Sequence, residues 1–431
     1  MSAFSSIKSR LAVFAAFLLL ALPANSAMAS GASPKLPNPG FRSVGLWAEE
    51  TDTRLDIAVW YPTQRAMRDI HLEGWSFRAG KDGPPVPGLY PVILLSHNAA
   101  SSRLASHDLA AHLARQGFIV IAPTHPKDNS NDTGGFFHAA NFAERPKHLV
   151  LALERVSAVP ALAAVMDRSR IGVLGVGSGA TTALQLAGAI PDLSLLPAYC
   201  PSETILDPLC SNWGRNFHPA MQREFSLLQA QNAAGFSAAI EKAATPLAAN
   251  ASLTEIAAAV TEPPNSAAAP AVEQPPSADA PPDIVDPAEP KKTAAEPKTS
   301  GKEKQPLLAV GLLTPGGIGL FPDVSLHAVS AQVGVFTAGK DTVYVSAKST
   351  ERLQTVLPAR PAVRILPDED FFDLQAPCPP AYLDTFPALC GNQTPAAQNA
   401  RKSRNDFFTQ FYQKTLGFAA PPPILPVSQN K

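Results

Sequence analysis

The chain has 431 residues, 45% of them hydrophobic, and carries 35 basic against 36 acidic side chains for a formal net charge of -1. With no basic stripe and no basic patch interleaved with aromatics, this composition argues against nucleic acid as a partner. The length allows two or three domains and supplies an ample core for independent folding.

Residues 1–29 read as an export signal, with Lys8 and Arg10, an apolar run over 11–22, and Ala27-Met28-Ala29 as a small-residue cleavage site. The run is too short for a comfortable membrane span, no cysteine follows it to accept lipid, and no later segment approaches a span. The expectation is a cleaved product, periplasmic or secreted, with no transmembrane segment.

Residues 90–96 (YPVILLS) form an apolar run followed by His97-Asn98-Ala99, a helical pattern over 104–116 and a second apolar run over 118–122, a β-α-β unit. Residues 170–184 then spell RIGVLGVGSGATTAL: an apolar strand over 171–174, a turn flanked by Gly175 and Gly179, and a helix former over 180–189. A buried strand, a tight turn and a helix whose first amides face a reacting oxygen are what a nucleophile elbow requires. The middle position of G-x-S-x-G, however, holds Gly177, and Ser178 stands one place too late. The slip re-aims the side chain, so Ser178 is expected in the first helical turn with its amide toward the cavity. A phosphate-binding turn is the competing reading, but the segment lacks both the P-loop lysine and the G-x-G-x-x-G spacing.

More than a hundred residues separate this helix from the next strand pattern, 307–313. The first part of the insertion places Phe217, Met221, Phe225, Leu228 and Ile240 at roughly helical spacing, which fits either a helical cap over the cavity mouth or packing on the sheet edge. From 261 to 305 the chain is dense in proline, alanine, glutamate and lysine, and cannot bury enough surface to offset its ordering entropy. A disordered loop is expected there. Four cysteines fall in two local pairs, Cys200 with Cys210 and Cys378 with Cys390. In an exported chain this favours disulfides, each worth roughly 3 kcal/mol on chain entropy. Three pairings are arithmetically open, and a four-thiolate zinc site is the alternative.

After these residues the resemblance becomes specific. LLSHNAASSRLASHDLAAHLARQGFIVIAPTHPKDNS resembles the oxyanion loop and following strand of dienelactone-hydrolase-like and platelet-activating-factor-acetylhydrolase-like esterases, and GFRSVGLWAEETDTRLDIAVWYPT resembles their first antiparallel strands. The chain departs from SHG at Ser96-His97-Asn98, and Glu144-Arg145-Pro146 resembles ERP-x-D with His148 in place of the acid. The resemblance implies an α/β-hydrolase fold, a mostly parallel sheet flanked by helices. It divides the chain into 40–190 and 306–418 of one domain, a helical cap over 191–260 and the disordered loop over 261–305. It also implies a triad whose acid is Asp341, after the strand pattern at 332–337. The base position, by register between Pro367 and Pro377-Cys378 in PDEDFFDLQAPC, falls on Phe371, and the nucleophile position on Gly177. The oxyanion-hole region falls on Asn98 and Ser178.

Glycine and phenylalanine offer neither lone pair nor transferable proton. The leading expectation is therefore a non-catalytic or very weak hydrolase homologue that binds an ester-like small molecule or a protein partner. One alternative is an active carboxylic ester hydrolase with a relocated nucleophile, such as a Ser178–His97 dyad. The other is an envelope scaffold working through its proline-rich loop. No metal-ligand spacing or cofactor motif supports either kind of group.

Overall fold

The computed structural model describes residues 36–48, 53–200, 207–231, 307–378 and 391–418. The signal expected at 1–29, the disordered loop expected at 261–305 and the 232–260 part of the expected cap lie outside them. The described strands are β1 (Asn38–Ala48), β2 (Thr53–Thr63), β3 (Arg68–Leu72), β4 (Trp75–Lys81), β5 (Tyr90–Ser96), β6 (Ile119–Pro123), β7 (Met166–Val176), β8 (Leu307–Leu313), β9 (Gln332–Ala338) and β10 (Ala362–Leu366). They form one sheet in the order β10-β9-β8-β7-β5-β6-β2-β1-β4-β3. From β6 to β10 every neighbouring pair is parallel, while β2 runs antiparallel to both β1 and β6. The expected α/β-hydrolase architecture is therefore what the chain adopts.

The longer helices are α1 (His107–Arg115), α2 (Ala140–Ser157), α3 (Gly179–Leu186), α4 (His218–Gln231), α5 (Ser346–Val356) and α6 (Pro395–Thr415). One face of the sheet is covered by α2, α3 and α5, whose Leu149, Leu153, Leu184 and Leu353 share a core with Val92, Leu94, Val173 and Val335. The other is covered by α1 and α6, whose Leu109, Leu113, Phe408 and Tyr412 pack with Ile93, Leu95, Leu174 and Phe336. Alternate residues of β5 thus point into two separate cores, which is why the strand is apolar without interruption.

The β3–β4 hairpin carries no turn signature in the sequence. Its two-residue loop, Glu73-Gly74, has φ of 51° and 77°, the positive values that a tight hairpin of matching twist requires. The glutamate is held there with its carboxylate 2.5 Å from the buried Arg103 guanidinium.

The closest helix-to-sheet approach is made by α6. The Tyr412 hydroxyl donates to Val173 O at 2.7 Å, and its ring lies where a side chain on β7 would otherwise stand. A Cβ on Gly172 would sit 2.8 Å from Tyr412 Cε1 and 2.9 Å from Ile93 Cδ1. Replacing Gly172 by alanine is therefore expected to destabilise the fold by about 1–3 kcal/mol through overpacking. Gly45→Ala, whose new methyl would meet nothing nearer than Arg54 Nη2 at 3.7 Å, should stay within about 0.5 kcal/mol of the parent. Urea unfolding of the two variants checks the contrast.

Candidate functional site

Five loops meet at the carboxyl ends of β5, β7, β8, β9 and β10, the edge where an open α/β sheet gathers its ligands. Gly177 lies at the turn from β7 into α3 with φ +54°, a conformation that costs a residue with a side chain and that glycine adopts freely. Its N–H donates to Leu313 O at 2.9 Å and its carbonyl accepts from the Gly316 amide at 3.0 Å. A Cβ there would lie 2.7 Å from Asn98 Cγ and 2.8 Å from Tyr344 Cε2. Those two side chains occupy the space above the turn.

The Asn98 carboxamide oxygen is the node of this arrangement. It accepts from the Ser178 amide at 3.1 Å, the Tyr344 hydroxyl at 2.5 Å and, more weakly, the Ser178 hydroxyl at 3.4 Å. The amide following an elbow nucleophile is one that an oxyanion hole uses. Here it holds a carbonyl oxygen of the same chain.

Beneath this node lies a buried ion pair, Arg145 Nη1 to Asp128 Oδ2 at 2.9 Å, with both side chains about 95% buried or more. Arg145 also donates to Ser178 Oγ at 3.3 Å, to Ser96 Oγ at 3.2 Å and to His97 O. Asp128 is further satisfied by the Ala100 amide and the Asn141 side chain. Removal of either partner would leave the other uncompensated in the core. Pro146 follows Arg145 inside α2 and lacks the N–H that would bond Phe142 O. The Gln185 side chain of α3 donates to that carbonyl instead, at 2.9 Å, tying the two helices together.

Three histidine rings lie side by side near the pair, His97 to His125 at 4.7 Å and His125 to His148 at 5.5 Å between centroids. The His125 backbone N–H donates to His97 Nε2 at 2.9 Å, so the His97 proton sits on Nδ1, which donates to Asn98 O at 2.6 Å. Both nitrogens of His97 are thus engaged by the backbone, and the ring is not brought to Ser178. His125 contacts Ser96 Oγ at 2.9 Å and His148 Nδ1 at 3.3 Å. Burial, then the Arg145 charge, pushes His97 and His148 down to about 3 and His125 well below its ordinary value. All three are neutral at pH 7.

Asp341 follows β9 and accepts from the Val343 and Tyr344 amides at 2.9 and 3.1 Å. Its Oδ2 is buried and makes no hydrogen bond among the described residues. Burial raises its pKa, against the lowering effect of the Ser346 hydroxyl and these amides. Phe371 is 5% exposed and packs with Val343 and Tyr344, its ring 5.7 Å from that of Tyr344. The two loops are laced by Gly339 N–H to Leu366 O and Lys340 N–H to Glu369 O. Val345, a β-branched residue at φ +49°, marks strain in the segment that carries Tyr344.

The mouth is covered by the segment following α3. Cys200 and Cys210 form a disulfide, which removes the four-thiolate zinc alternative. Cys378 is also disulfide-bonded, and Cys390 lies outside the described residues. Within the first loop, Asp207 accepts from the Tyr199 hydroxyl at 2.5 Å and the Leu209 amide at 3.0 Å, and Tyr199 accepts from the Gly317 amide at 2.8 Å. In α4, Met221 and Phe225 pack on Phe137, Leu193 and Leu320, and Glu224 accepts the Ala139 and Ala140 amides at the start of α2. Between this cover and the elbow helix is a cavity of about 50 Å³ bordered by Ser178, Arg145, Thr182, Phe142, Asp207 and Leu209. Tyr199, Asp207 and Tyr344 carry no motif; only the bracketing cysteines pointed toward Asp207. Among the described residues no group of three or more His, Cys, Asp or Glu is arranged to hold a metal ion, and no helix is long and apolar enough to cross a membrane.

Residues 81–172 match the family described as platelet-activating factor acetylhydrolase, isoform II; the match ends before the elbow turn. No curated protein matches the chain. Among solved structures, it is similar to a ferulic acid esterase from Streptomyces cinnamoneus, at 15% identity over 92% of this chain and 96% of that one, with a TM-score of 0.48. It is also similar to a dienelactone hydrolase from Anabaena variabilis (10% identity, 87% and 99% covered, TM-score 0.39) and to a dienelactone hydrolase-like promiscuous phosphotriesterase from metagenomic libraries (13%, 87% and 99%, TM-score 0.41). The strand order is that of the α/β-hydrolase fold, and residues 81–172 of it carry the family match.

The neutral histidines make stability depend on acid. Each has a folded pKa below its unfolded value near 6.5, so its contribution is complete above pH 6.5 and is lost as pH falls toward 3, by up to about 1.4 kcal/mol per pH unit per group. Asp207, raised from 3.8 to about 6 by burial, opposes this, because its protonation between pH 6 and 3.8 favours the folded form. Asp341 and Glu154, raised by burial as well, act with Asp207, while His107 and His112, lowered by burial, act with the three histidines; with five histidines against three carboxylates, the thermal midpoint should fall from pH 6.5 to 4.5. A flat midpoint across that range would contradict the assignment.

Proposed function

We propose that this chain is an exported hydrolase homologue of the platelet-activating-factor-acetylhydrolase and dienelactone-hydrolase kind that binds a ligand or partner without efficient ester turnover. In this reading Gly177 stands in the nucleophile's position, Phe371 in the base's position, and Asp341 remains as an acid with no imidazole to orient. The observation that supports it most is the Asn98 carboxamide, whose oxygen takes the Ser178 amide and the Tyr344 hydroxyl at the place an ester oxyanion would need them. Ser178 is no substitute nucleophile in this reading: its hydroxyl faces Asn98 and Arg145, neither of which removes a proton. Loss of serine or histidine from a triad costs on the order of a millionfold, leaving about a thousandfold over water from an oxyanion hole and binding. With that hole filled by the chain itself, even this remainder is diminished.

Restoration of the triad tests the reading. Gly177→Ser with Phe371→His should remain inactive on short aryl esters, because the new serine meets Asn98 and Tyr344. The triple variant that adds Asn98→Gly should gain turnover, and Asp341→Asn should remove it again. Rapid labelling of the wild-type protein by a serine-directed phosphonate, or wild-type turnover approaching that of the triple variant, would overturn the proposal.

A further inference from the structure

The cavity bordered by Asp207, Pro208 and Leu209 contains a buried acid with no counter-ion among the described residues. Asp207 is 3% exposed, and among the described residues its oxygens accept from neutral donors, the Tyr199 hydroxyl and the Leu209 amide. Across the cavity the guanidinium of Arg145 is already matched by Asp128 at 2.9 Å. One cation therefore faces two carboxylates on the cavity border. The deficit is sharpened by Asp341, whose charge raises the Asp207 pKa further after burial has done so, and by Tyr344, whose own pKa rises partly through Asp207.

The rest of the lining is suited to a cation. Phe136 and Phe142 border the space together with Pro208 and Leu209, and aromatic faces attract positive charge. Thr182 also borders it, and its fully buried Oγ1 has no hydrogen-bond partner in the described structure. An anion would meet two carboxylates. A bare hard metal ion would need about six oxygen ligands, which this lining does not converge.

We infer that this cavity binds a small organic ammonium ion, its charged nitrogen against Asp207 and its alkyl part against Phe142 and Leu209. A volume of about 50 Å³ equals room for about three to five water-sized groups, so the fitting cations are short alkylammonium ions. The inference rests on the reading above only in that the cavity keeps its occupant instead of turning it over.

Calorimetry on the full chain decides it, with methylammonium, propylammonium, hexylammonium and acetate as probes. Methylammonium and propylammonium should bind saturably at pH 7, hexylammonium and acetate should not. Near pH 6 binding should release protons, read as an enthalpy that changes with the ionisation heat of the buffer, because the ammonium draws Asp207 into its ionised form. Asp207→Asn keeps the shape and the contact with Leu209 N–H, and should weaken binding by about tenfold or more and abolish the proton release. Equal binding of acetate, undiminished binding by Asp207→Asn, or no binding of either short ammonium ion would overturn the inference. Should the variant fail to fold, the size series and the acetate comparison on the wild-type protein decide the matter alone. Ester turnover is measured separately, so failure here leaves the triad reading standing, and activity in the ester assay leaves the ammonium measurement to be judged by itself.

Discussion

The hydrogen bonds converging on the Asn98 carboxamide oxygen set the geometry of the whole carboxyl edge. Three separate stretches of chain meet on one atom: the loop after β5, the first amide of α3 and the tyrosine carried beyond β9. A helix N-terminus with unpaired amides is a site waiting for an acceptor, and this chain supplies a permanent, uncharged one in the Asn98 carboxamide. The absence of a side chain at Gly177 is what gives the carboxamide room, so the glycine and the asparagine form one arrangement in which each needs the other.

The polar layer below is arranged to keep charge to a minimum. One ion pair, Arg145 with Asp128, is bonded through both terminal nitrogens of the guanidinium, and three imidazoles beside it stay neutral because a buried proton next to a guanidinium is costly. Asp207 stands apart from this arrangement, a buried carboxylate in the same polar region with no charge partner among the described residues. The contrast between a charge-paired floor and a cover whose acid is hydrogen-bonded but not charge-paired among the described residues is the main electrostatic asymmetry of the site.

Much of the fold was legible because it is written in local patterns. The apolar runs at 90–96 and 332–337 reappear as β5 and β9 because buried parallel strands need no alternation, and the elbow is readable from small residues between a strand and a helix. The β3–β4 hairpin was not legible, since Glu73 at positive φ carries no turn signal and is held there by a distant arginine. At the site, Gly177, Phe371 and Asp341 were singled out in the sequence, but what fills the space over Gly177 was not. Asn98 and Tyr344 are 246 positions apart, and no spacing rule joins them. His97 looked available from its place in the sequence; its two nitrogens are taken by main-chain groups that only the folded loop brings near.

Pro146 leaves one rung of its helix unfilled, and a glutamine from the elbow helix fills it. Because that rung is shared, the arginine-bearing helix and the elbow helix are tied at one point, so the guanidinium and the first amides of the turn keep their spacing. The segment opposite them, cross-linked by a disulfide, rests on the start of the same helix through Glu224, so a missing main-chain donor in α2 bears on all three sides of the gap.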